Sequence, residues 1–156
     1  MINQRTIRIE WGQCDPAGIM FYPQYFIIFD VSTGWLFERT GLTPSAMRKK
    51  YGIVGIPVVD VGARFIVPCR FDDEVVVESE ATDWGKSSFT VRHRLLKEGR
   101  LAVEGFEKRV WAVPHPERPG AIRAEPVPAE IIATLSDATG VAAVAAETGG
   151  QKPVKF

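Results

Sequence analysis

The chain has 156 residues, of which 46% are hydrophobic and 24% charged, and these values are typical of one ordinary soluble globular domain. Its 19 basic side chains equal its 19 acidic ones, so there is no broad basic field and no nucleic-acid partner is predicted. No apolar run approaches the roughly 20 residues of a membrane span, and residues 1–11 lack the apolar core of a signal peptide, so we expect a cytoplasmic protein with no membrane partner.

Cysteine usage agrees with that compartment. The two cysteines, Cys14 and Cys69, fit a reducing environment better than a disulfide framework, and they do not make a zinc site. The sequence therefore predicts no metal and no cofactor.

The first predicted strand leads into a turn that carries a carboxylate. Residues 6–11 alternate between polar and apolar side chains, which favours a short strand. In the Asp-Pro-Ala-Gly sequence that follows, Pro16 pushes Asp15 out of the helical region, and Gly18 tolerates a positive φ. We expect this turn to place Asp15 just ahead of a helix.

A long apolar helix is predicted over residues 22–39. Pro23 suits its first turn, because the N–H that proline lacks would be unpaired there anyway. Apolar side chains occupy nearly all its faces, so other structure is expected to enclose it. Gly34 lowers helix stability by roughly 1 kcal/mol relative to alanine, which predicts a close packing partner at that position, and Gly41 ends the helix.

The remaining chain has the pattern of an antiparallel sheet. A short helix is predicted over residues 44–51 with Thr43 as its N-cap, and strands follow over residues 57–67, 74–83, 88–97 and 101–113. A slip in apolar phase between Val103 and Phe106 predicts a bulge at Gly105. A last short helix is expected over residues 128–135. The fold class is therefore α+β, with one domain over residues 1–137 and a mobile tail over residues 138–156.

Three segments carry a resemblance to a known family. They are Asp-Pro-Ala-Gly at 15–18, an aromatic-Tyr-Pro-x-Tyr run at 21–25 and Gly-Ile-Val-Gly-Ile-Pro at 52–57, together with Asp30 inside the apolar helix. From about residue 8 to about residue 135 the chain resembles the hotdog-fold acyl-CoA thioesterases, and most closely the 4-hydroxybenzoyl-CoA thioesterase group. The branch with aliphatic substrates often has histidine where this chain has Tyr22.

The resemblance implies a fold, a substrate class and an assembly. The antiparallel sheet would wrap around the one long apolar helix, and the substrate would be an acyl-CoA. The resemblance to the 4-hydroxybenzoyl-CoA thioesterase group favours an aromatic acyl group. The family works as dimers or tetramers with active sites at subunit interfaces, so a homo-oligomer is expected.

Thioester hydrolysis needs an activated water or a nucleophile, and a group that stabilises the charge developing on the carbonyl oxygen. Asp15 can supply the first, and unpaired N–H groups at the helix start near Tyr22 can supply the second. The alternative for Asp15 is that it only caps its turn. The Tyr22 side chain either contacts substrate through its hydroxyl at the pocket mouth or only packs at the helix start. A thiol-nucleophile role for Cys14 is rejected, because no histidine is near it in sequence.

Asp30 is either a pocket residue that meets a polar group on the acyl part, as the resemblance implies, or a hydrogen-bonding residue at a subunit contact. Burying it without a partner would be costly. His93 shares an apolar strand face and is interpreted as a hydrogen-bonded core histidine.

The predicted site also includes a turn whose side chains can bind the phosphates of coenzyme A. Lys86 and Ser87 match the family's phosphate-contacting turn, with solvated strand arginines as further candidates (Arg64, Arg92 and Arg94). The assigned catalytic residues are Asp15 and Tyr22, and the assigned substrate-binding residues are Gly18, Pro23, Asp30, Lys86 and Ser87.

The predicted function is hydrolysis of an acyl-CoA thioester, with Asp15 as nucleophile or general base. Two rivals stay open: hydration of an enoyl thioester on the same fold, and a hotdog module that binds acyl-CoA without turning it over. The hydratase would need an Asp and His pair, and no histidine lies in the Asp15 segment.

Overall fold

The structure is a computed structural model that describes residues 1–137, so the predicted tail at 138–156 lies outside the described residues. Its elements in chain order are β1 (Ile2–Arg8), a 3₁₀ turn (Trp11–Gln13), α1 (Pro23–Glu38), α2 (Pro44–Tyr51), β2 (Val58–Phe65), β3 (Glu74–Thr82), β4 (Ser88–Lys97), β5 (Arg100–Val110), β6 (Ala112–Pro114), β7 (Ile122–Ala124) and α3 (Ala129–Ser136). Among the helices of residues 1–137, none combines the length and the hydropathy that crossing a lipid bilayer requires.

Five strands form one antiparallel sheet in the order β1-β3-β4-β5-β2. The buried side chains of β3 and β4 alternate along each strand, as the period of 2 predicts (Val75, Val77 and Ala81; Phe89, Val91, His93 and Leu95). α1 packs across this buried face, and the predicted α+β architecture is confirmed. Strands β6 and β7 pair with each other in a separate hairpin.

α1 begins and ends as its sequence predicts, but one chain covers only one of its faces. Its inner face is buried against the sheet, while three apolar side chains on the outer face are exposed (Ile27 by 54%, Val31 by 41% and Trp35 by 37%). The expected enclosure of the helix is therefore wrong for the single chain. An apolar stripe of this size on a helix is what a further protein surface or a ligand covers.

The first and last predicted strands differ from the structure in their bounds. β1 lies earlier than residues 6–11, because residues 2–8 pair with β3 and the chain then turns into the 3₁₀ segment. The long strand predicted over residues 101–113 is broken at Trp111, whose N–H bonds to Ser87, and the chain continues as β6. Thr43 caps α2 as predicted, since its hydroxyl accepts from the N–H of Ala46 at 3.1 Å.

The predicted bulge at Gly105 is wrong. Gly105 pairs in regular register with His93 on one side and Ala63 on the other, and the shift lies between Leu95 and Leu96, which leaves Ala102 as the extra residue of β5. Glycine is required at 105 for a different reason. A Cβ there would lie 2.4 Å from the ring of Phe29, which crosses the sheet at this point.

Gly34 is the reverse case. A Cβ at this position in α1 would meet nothing within 4 Å, so residues 1–137 do not supply the close packing partner expected from the sequence. The space beside Gly34 belongs to a groove next to Asp30, which is described below.

These two glycines give a matched pair of stability predictions. Gly105→Ala is expected to destabilise the fold by about 1–3 kcal/mol, because Phe29 is fully buried and cannot move aside. Gly34→Ala should instead stabilise it by up to about 1 kcal/mol through helix propensity. Thermal melting of both variants checks the pair, and a higher Tm for Gly105→Ala than for Gly34→Ala would contradict the packing described here.

β2 lies at the edge of the sheet and is paired only on its β5 side. Its apolar side chains are exposed, with Val59 at 59% and Phe65 at 49%. A long apolar edge strand is a template for pairing with another chain, and natural proteins protect such edges or use them for association.

Candidate active site

Asp15 sits near the tip of a small hairpin that precedes α1. The N–H of Asp15 donates to Ile19 O at 2.9 Å, and that of Phe21 donates to Gln13 O at 2.8 Å, while Gly18 turns the tip with a φ of 74°. The predicted turn is therefore present. At about 3.4 Å per residue, Asp15 lies roughly 7 Å along the hairpin from its base at Phe21.

The carboxylate of Asp15 caps its turn and keeps one oxygen available. Its Oδ1 accepts from the N–H of Ala17 at 2.8 Å, which is the turn-cap geometry weighed above. Within residues 1–137 its Oδ2 has no hydrogen-bond partner, and the side chain is half-buried. Capping and a reactive role are therefore compatible, because each uses a different oxygen.

The start of α1 offers one unpaired amide. The N–H groups of Phe21, Gln24 and Tyr25 have backbone acceptors, and Pro23 has no N–H. The amide of Tyr22 has no acceptor in the part of the chain that the structure describes, and it lies at the positive end of the helix. The predicted oxyanion donor thus narrows from a group of amides to the one of Tyr22, whose side chain is 61% exposed.

A buried tyrosine fixes the floor of this region. The hydroxyl of Tyr25, in the first turn of α1, accepts from the N–H of Cys69 at 3.3 Å. Burial raises the pKa of both the Tyr25 hydroxyl and the Cys69 thiol above their ordinary values. Both groups therefore stay protonated at neutral pH and act as structure. Cys14, whose Sγ lies 3.8 Å from Glu10 O, is half-buried and packs against the same core cluster as Tyr25 and Cys69.

Lys86 and Ser87 lie at the other end of the sheet. They belong to the turn between β3 and β4, next to the C-terminal end of α1, where Arg39 bonds Asn3. α1 has 16 residues and is therefore about 24 Å long. One chain does not bring this turn to Asp15, so the predicted site cannot be completed within a single subunit.

Asp30 is exposed and paired, not buried as its apolar helix suggested. Its side chain is 65% exposed, and its Oδ1 accepts from Nη2 of Arg109 at 2.6 Å. Arg109 comes from β5, and its own side chain is only 7% exposed. Asp30 and Arg109 line a groove of about 180 Å³ that runs past Gly34 between α1, α2 and residues 53–56.

Behind Arg109 the buried polar groups form a continuous network. Glu107 Oε2 accepts from Arg109 Nη2 at 2.8 Å and from the hydroxyl of Thr33 at 2.6 Å, and it lies 3.3 Å from Nε2 of His93. The other ring nitrogen of His93 lies 2.8 Å from the hydroxyl of Ser79. Because the carboxylate only accepts, the neutral ring carries its proton on Nε2, and Ser79 donates to Nδ1. His93 is thus a hydrogen-bonded core histidine, as predicted, and its ring stacks on Phe29.

The same network makes folding sensitive to acid. Burial lowers the pKa of His93 below its ordinary 6.5, against the opposing effect of Glu107. Burial alone would raise the pKa of Glu107, but hydrogen bonds from His93 and Thr33, with the charge of Arg109, hold it below its ordinary 4.5. Both shifts make the unfolded chain bind more protons than the folded chain as pH falls, so stability is lost first below about pH 6.5 and again below about pH 4.5.

A variant of His93 distinguishes the loss of stability below about pH 6.5 from the loss below about pH 4.5. His93→Gln should lower the free energy of unfolding at neutral pH, because it disturbs the network, but should flatten its fall between neutral pH and about pH 5. Urea unfolding at several pH values measures both quantities. An equal slope in the variant and the unchanged protein would show that another group causes the acid sensitivity.

Comparison with known proteins identifies the family of this chain. The profile of the Thioesterase-like superfamily matches residues 9–135. The chain belongs to this superfamily. It is 35% identical to the 4-hydroxybenzoyl-CoA thioesterase of Pseudomonas sp. (strain CBS-3) over 135 residues, which are 83% of this chain and 94% of that protein.

Solved structures of thioesterases support the same assignment. A mutant 4-hydroxybenzoyl CoA thioesterase complexed with 4-hydroxybenzoyl CoA is similar with a TM-score of 0.78 and 34% identity, covering 86% of this chain and 99% of that one. A gentisyl-coenzyme A thioesterase is similar with a TM-score of 0.72 and 28% identity, covering 83% and 99%. These similarities confirm the thioesterase family and the hotdog fold that the sequence motifs indicated.

Sequence reasoning missed two charged residues beside the groove of the candidate site, Glu107 and Arg109. Both lie on the inward phase of β5, which continues from Val103 through Gly105, but the exposed Phe106 made the apolar phase seem to slip. The signal was present: a glutamate and an arginine two residues apart on a buried strand face must pair with each other or with a charge from elsewhere.

Proposed function

We propose that this member of the thioesterase-like superfamily hydrolyses aromatic acyl-CoA thioesters, with Asp15 as nucleophile or general base and the amide of Tyr22 as the oxyanion donor. One observation carries the proposal: Asp15 has an available carboxylate oxygen, and the N–H of Tyr22, which has no acceptor within residues 1–137, lies at the same end of the sheet. These are the two groups that thioester hydrolysis needs.

The chemistry follows from these positions. With the thioester carbonyl oxygen bound to the N–H of Tyr22, the helix dipole and that N–H stabilise the negative charge that develops on it. Asp15 Oδ2 either attacks the carbonyl carbon and forms an anhydride, or takes a proton from the attacking water. In the first route coenzyme A leaves as its thiolate, and the water that then hydrolyses the anhydride supplies the proton that makes the thiol. In the second route the proton that Asp15 takes from water passes to the departing sulfur. Gly18 and Pro23 shape the two flanks of this space.

The distance between Tyr22 and Asp30 supports an aromatic acyl group of limited length as the substrate. Asp30 lies eight residues after Tyr22, about 12 Å along the helix. Two hydrogen bonds of about 3 Å each, one at Tyr22 and one at Asp30, leave roughly 6 Å for the acyl group between them, which suits one substituted ring better than a long chain. The relatives described as 4-hydroxybenzoyl-CoA and gentisyl-coenzyme A thioesterases, whose acyl groups are hydroxylated rings, support the same choice.

The complete site is proposed to need a second copy of the chain. Pairing the free edge of β2 with its copy across a two-fold axis would run the two strands antiparallel, which reverses one sheet relative to the other. The turn with Lys86 and Ser87 would then lie at the same end of the double sheet as the partner's Asp15. We propose a homo-oligomer, a dimer or a tetramer, in which that turn holds the coenzyme A phosphates.

A cytoplasmic location is part of the proposal. The free thiols of Cys14 and Cys69 support a reducing compartment.

Product analysis tests the reaction class directly. The purified protein with 4-hydroxybenzoyl-CoA should release free thiol well above the uncatalysed rate. Hydration would instead consume an enoyl-CoA without releasing thiol, and a binding module would bind acyl-CoA and release nothing. Either of those results would overturn the thioesterase proposal.

A further inference from the structure

A chain of charged and polar groups links the core of the sheet to Asp30 on the outer face of α1. It runs from Ser79 and His93 to Glu107, then to Arg109, and ends at Asp30. The exposed fraction of the side chains rises along it, from 3% at Glu107 and 7% at Arg109 to 65% at Asp30. One end is therefore fixed in the core and the other is presented to the groove.

Arg109 is held by more than one partner. Its Nε and Nη2 donate to Glu107 Oε2 at 3.1 and 2.8 Å, and its Nη1 donates to Ile56 O at 3.1 Å. These bonds orient the planar guanidinium before it meets Asp30, so the arginine and not the exposed helix side chain sets the position of the carboxylate.

The charges of this cluster do not balance. Arg109 is one cation against the two carboxylates of Glu107 and Asp30, and His93 is neutral. Glu107 accepts two of the four hydrogen bonds that Arg109 donates and Asp30 accepts one, and within residues 1–137 Asp30 Oδ2 has no hydrogen-bond partner. An electron-rich acceptor is thus left facing the groove, and a hydrogen-bond donor on a ligand is the group that satisfies it.

We propose that Arg109, held by Glu107, is a positioning residue that fixes the Asp30 carboxylate as the acceptor for a ring hydroxyl of the acyl group. It thereby sets the preference for hydroxylated over plain aromatic acyl groups. This inference rests on the proposed function. Arg109 does not touch the reacting atoms, so its removal leaves the chemistry at Asp15 and Tyr22 in place.

The test is the ratio of kcat/KM for 4-hydroxybenzoyl-CoA to that for benzoyl-CoA. Asp30→Asn should lower this ratio about 10-fold or more, and Arg109→Gln should lower it by a similar factor, because each removes a charged partner of the hydroxyl or of its acceptor. In both variants kcat/KM for benzoyl-CoA should fall by a smaller factor than kcat/KM for 4-hydroxybenzoyl-CoA. The double variant should fall no further than Asp30→Asn alone, since both act through one contact.

Arg109→Gln leaves Glu107 buried without its cation, and the variant can fail to fold for that reason. Arg109→Lys keeps the charge and loses the fork, and should recover part of the ratio. The paired variant Glu107→Gln/Arg109→Gln removes both charges and keeps hydrogen-bonding groups. Arg123→Lys, at an exposed ion pair with Glu125, is the matched control and should leave the ratio unchanged.

The outcomes separate the two proposals. If an Arg109 variant loses kcat/KM equally for both substrates, Arg109 is merely structural and this inference is overturned. An Arg109 variant in which neither kcat/KM nor the ratio changes overturns it as well. If the unchanged protein hydrolyses neither substrate, the proposed function fails first. The acceptor role is then tested by binding: preferential binding of 4-hydroxybenzoyl-CoA over benzoyl-CoA that disappears in Asp30→Asn and weakens in Arg109→Lys supports it, and equal binding of the two contradicts it.

Discussion

Asp15→Asn is expected to lower kcat for aromatic acyl-CoA hydrolysis by at least about 100-fold, because the amide can neither attack the carbonyl carbon nor accept a proton from water. The fold should not change. Asparagine keeps an oxygen that can accept from the N–H of Ala17, so the turn cap survives. Steady-state kinetics with thermal melting of the same sample separates the two effects.

Glu117→Gln is the matched control for this experiment. It likewise replaces an exposed carboxylate by its amide, in the connection between β6 and β7, and it lies outside both the Asp15 hairpin and the turn with Lys86 and Ser87. Its kcat should equal that of the unchanged protein. A loss under about fivefold in Asp15→Asn would remove this carboxylate from the mechanism.

The same carboxylate allows nucleophilic attack to be distinguished from general-base catalysis. In a single turnover in labelled water, label enters the Asp15 carboxylate only if an acyl-enzyme anhydride forms there and is then hydrolysed. Absence of label would leave the general-base route.

Mixing two inactive variants is expected to restore activity, because the site is proposed to combine two chains. Asp15→Asn and Lys86→Glu should each retain less than about one tenth of the wild-type kcat/KM, through lost chemistry and through repulsion of the coenzyme A phosphates. Random reassociation of equal amounts makes about half the dimers mixed, and each mixed dimer has one intact site of two. The mixture should therefore recover about one quarter of wild-type activity.

A second mixture controls for reassembly itself. Asp15→Asn mixed with the double variant Asp15→Asn/Lys86→Glu contains no functional Asp15 and should stay inactive. If the first mixture also gains nothing while native mass spectrometry, with one of the two variants isotope-labelled, shows mixed dimers, then Asp15 and Lys86 act in the same chain or not in one site, and the composite site is wrong.

Local patterns predicted the elements well, because each element is determined by its own residues. Three local features depend only on neighbours in sequence: the alternation of apolar side chains in β3 and β4, the helix starts at Thr43 and Pro23, and the turn at Asp15. Thr43 is the N-cap of α2, and Pro23 is the first residue of α1. These local signals, with the motif resemblance, led to the right fold and to the right family.

What failed depends on contacts between distant segments. Gly105 and Gly34 are chemically identical, yet one lies under the ring of Phe29 and the other faces open space. The ion pair of Asp30 and Arg109 joins a helix to a strand 79 residues away. No local pattern indicates such a meeting, and none indicates that Asp15 and Lys86 lie at opposite ends of the sheet.

The central claim, that this thioesterase-family protein hydrolyses aromatic acyl-CoAs, is tested most directly by kcat/KM across a panel from acetyl-CoA through long-chain acyl-CoAs to benzoyl-CoA, phenylacetyl-CoA and 4-hydroxybenzoyl-CoA. The account predicts the highest value for an aromatic member with a ring hydroxyl, at least about 10-fold above any aliphatic thioester. A higher value for a long aliphatic chain would contradict the site described around Tyr22 and Asp30.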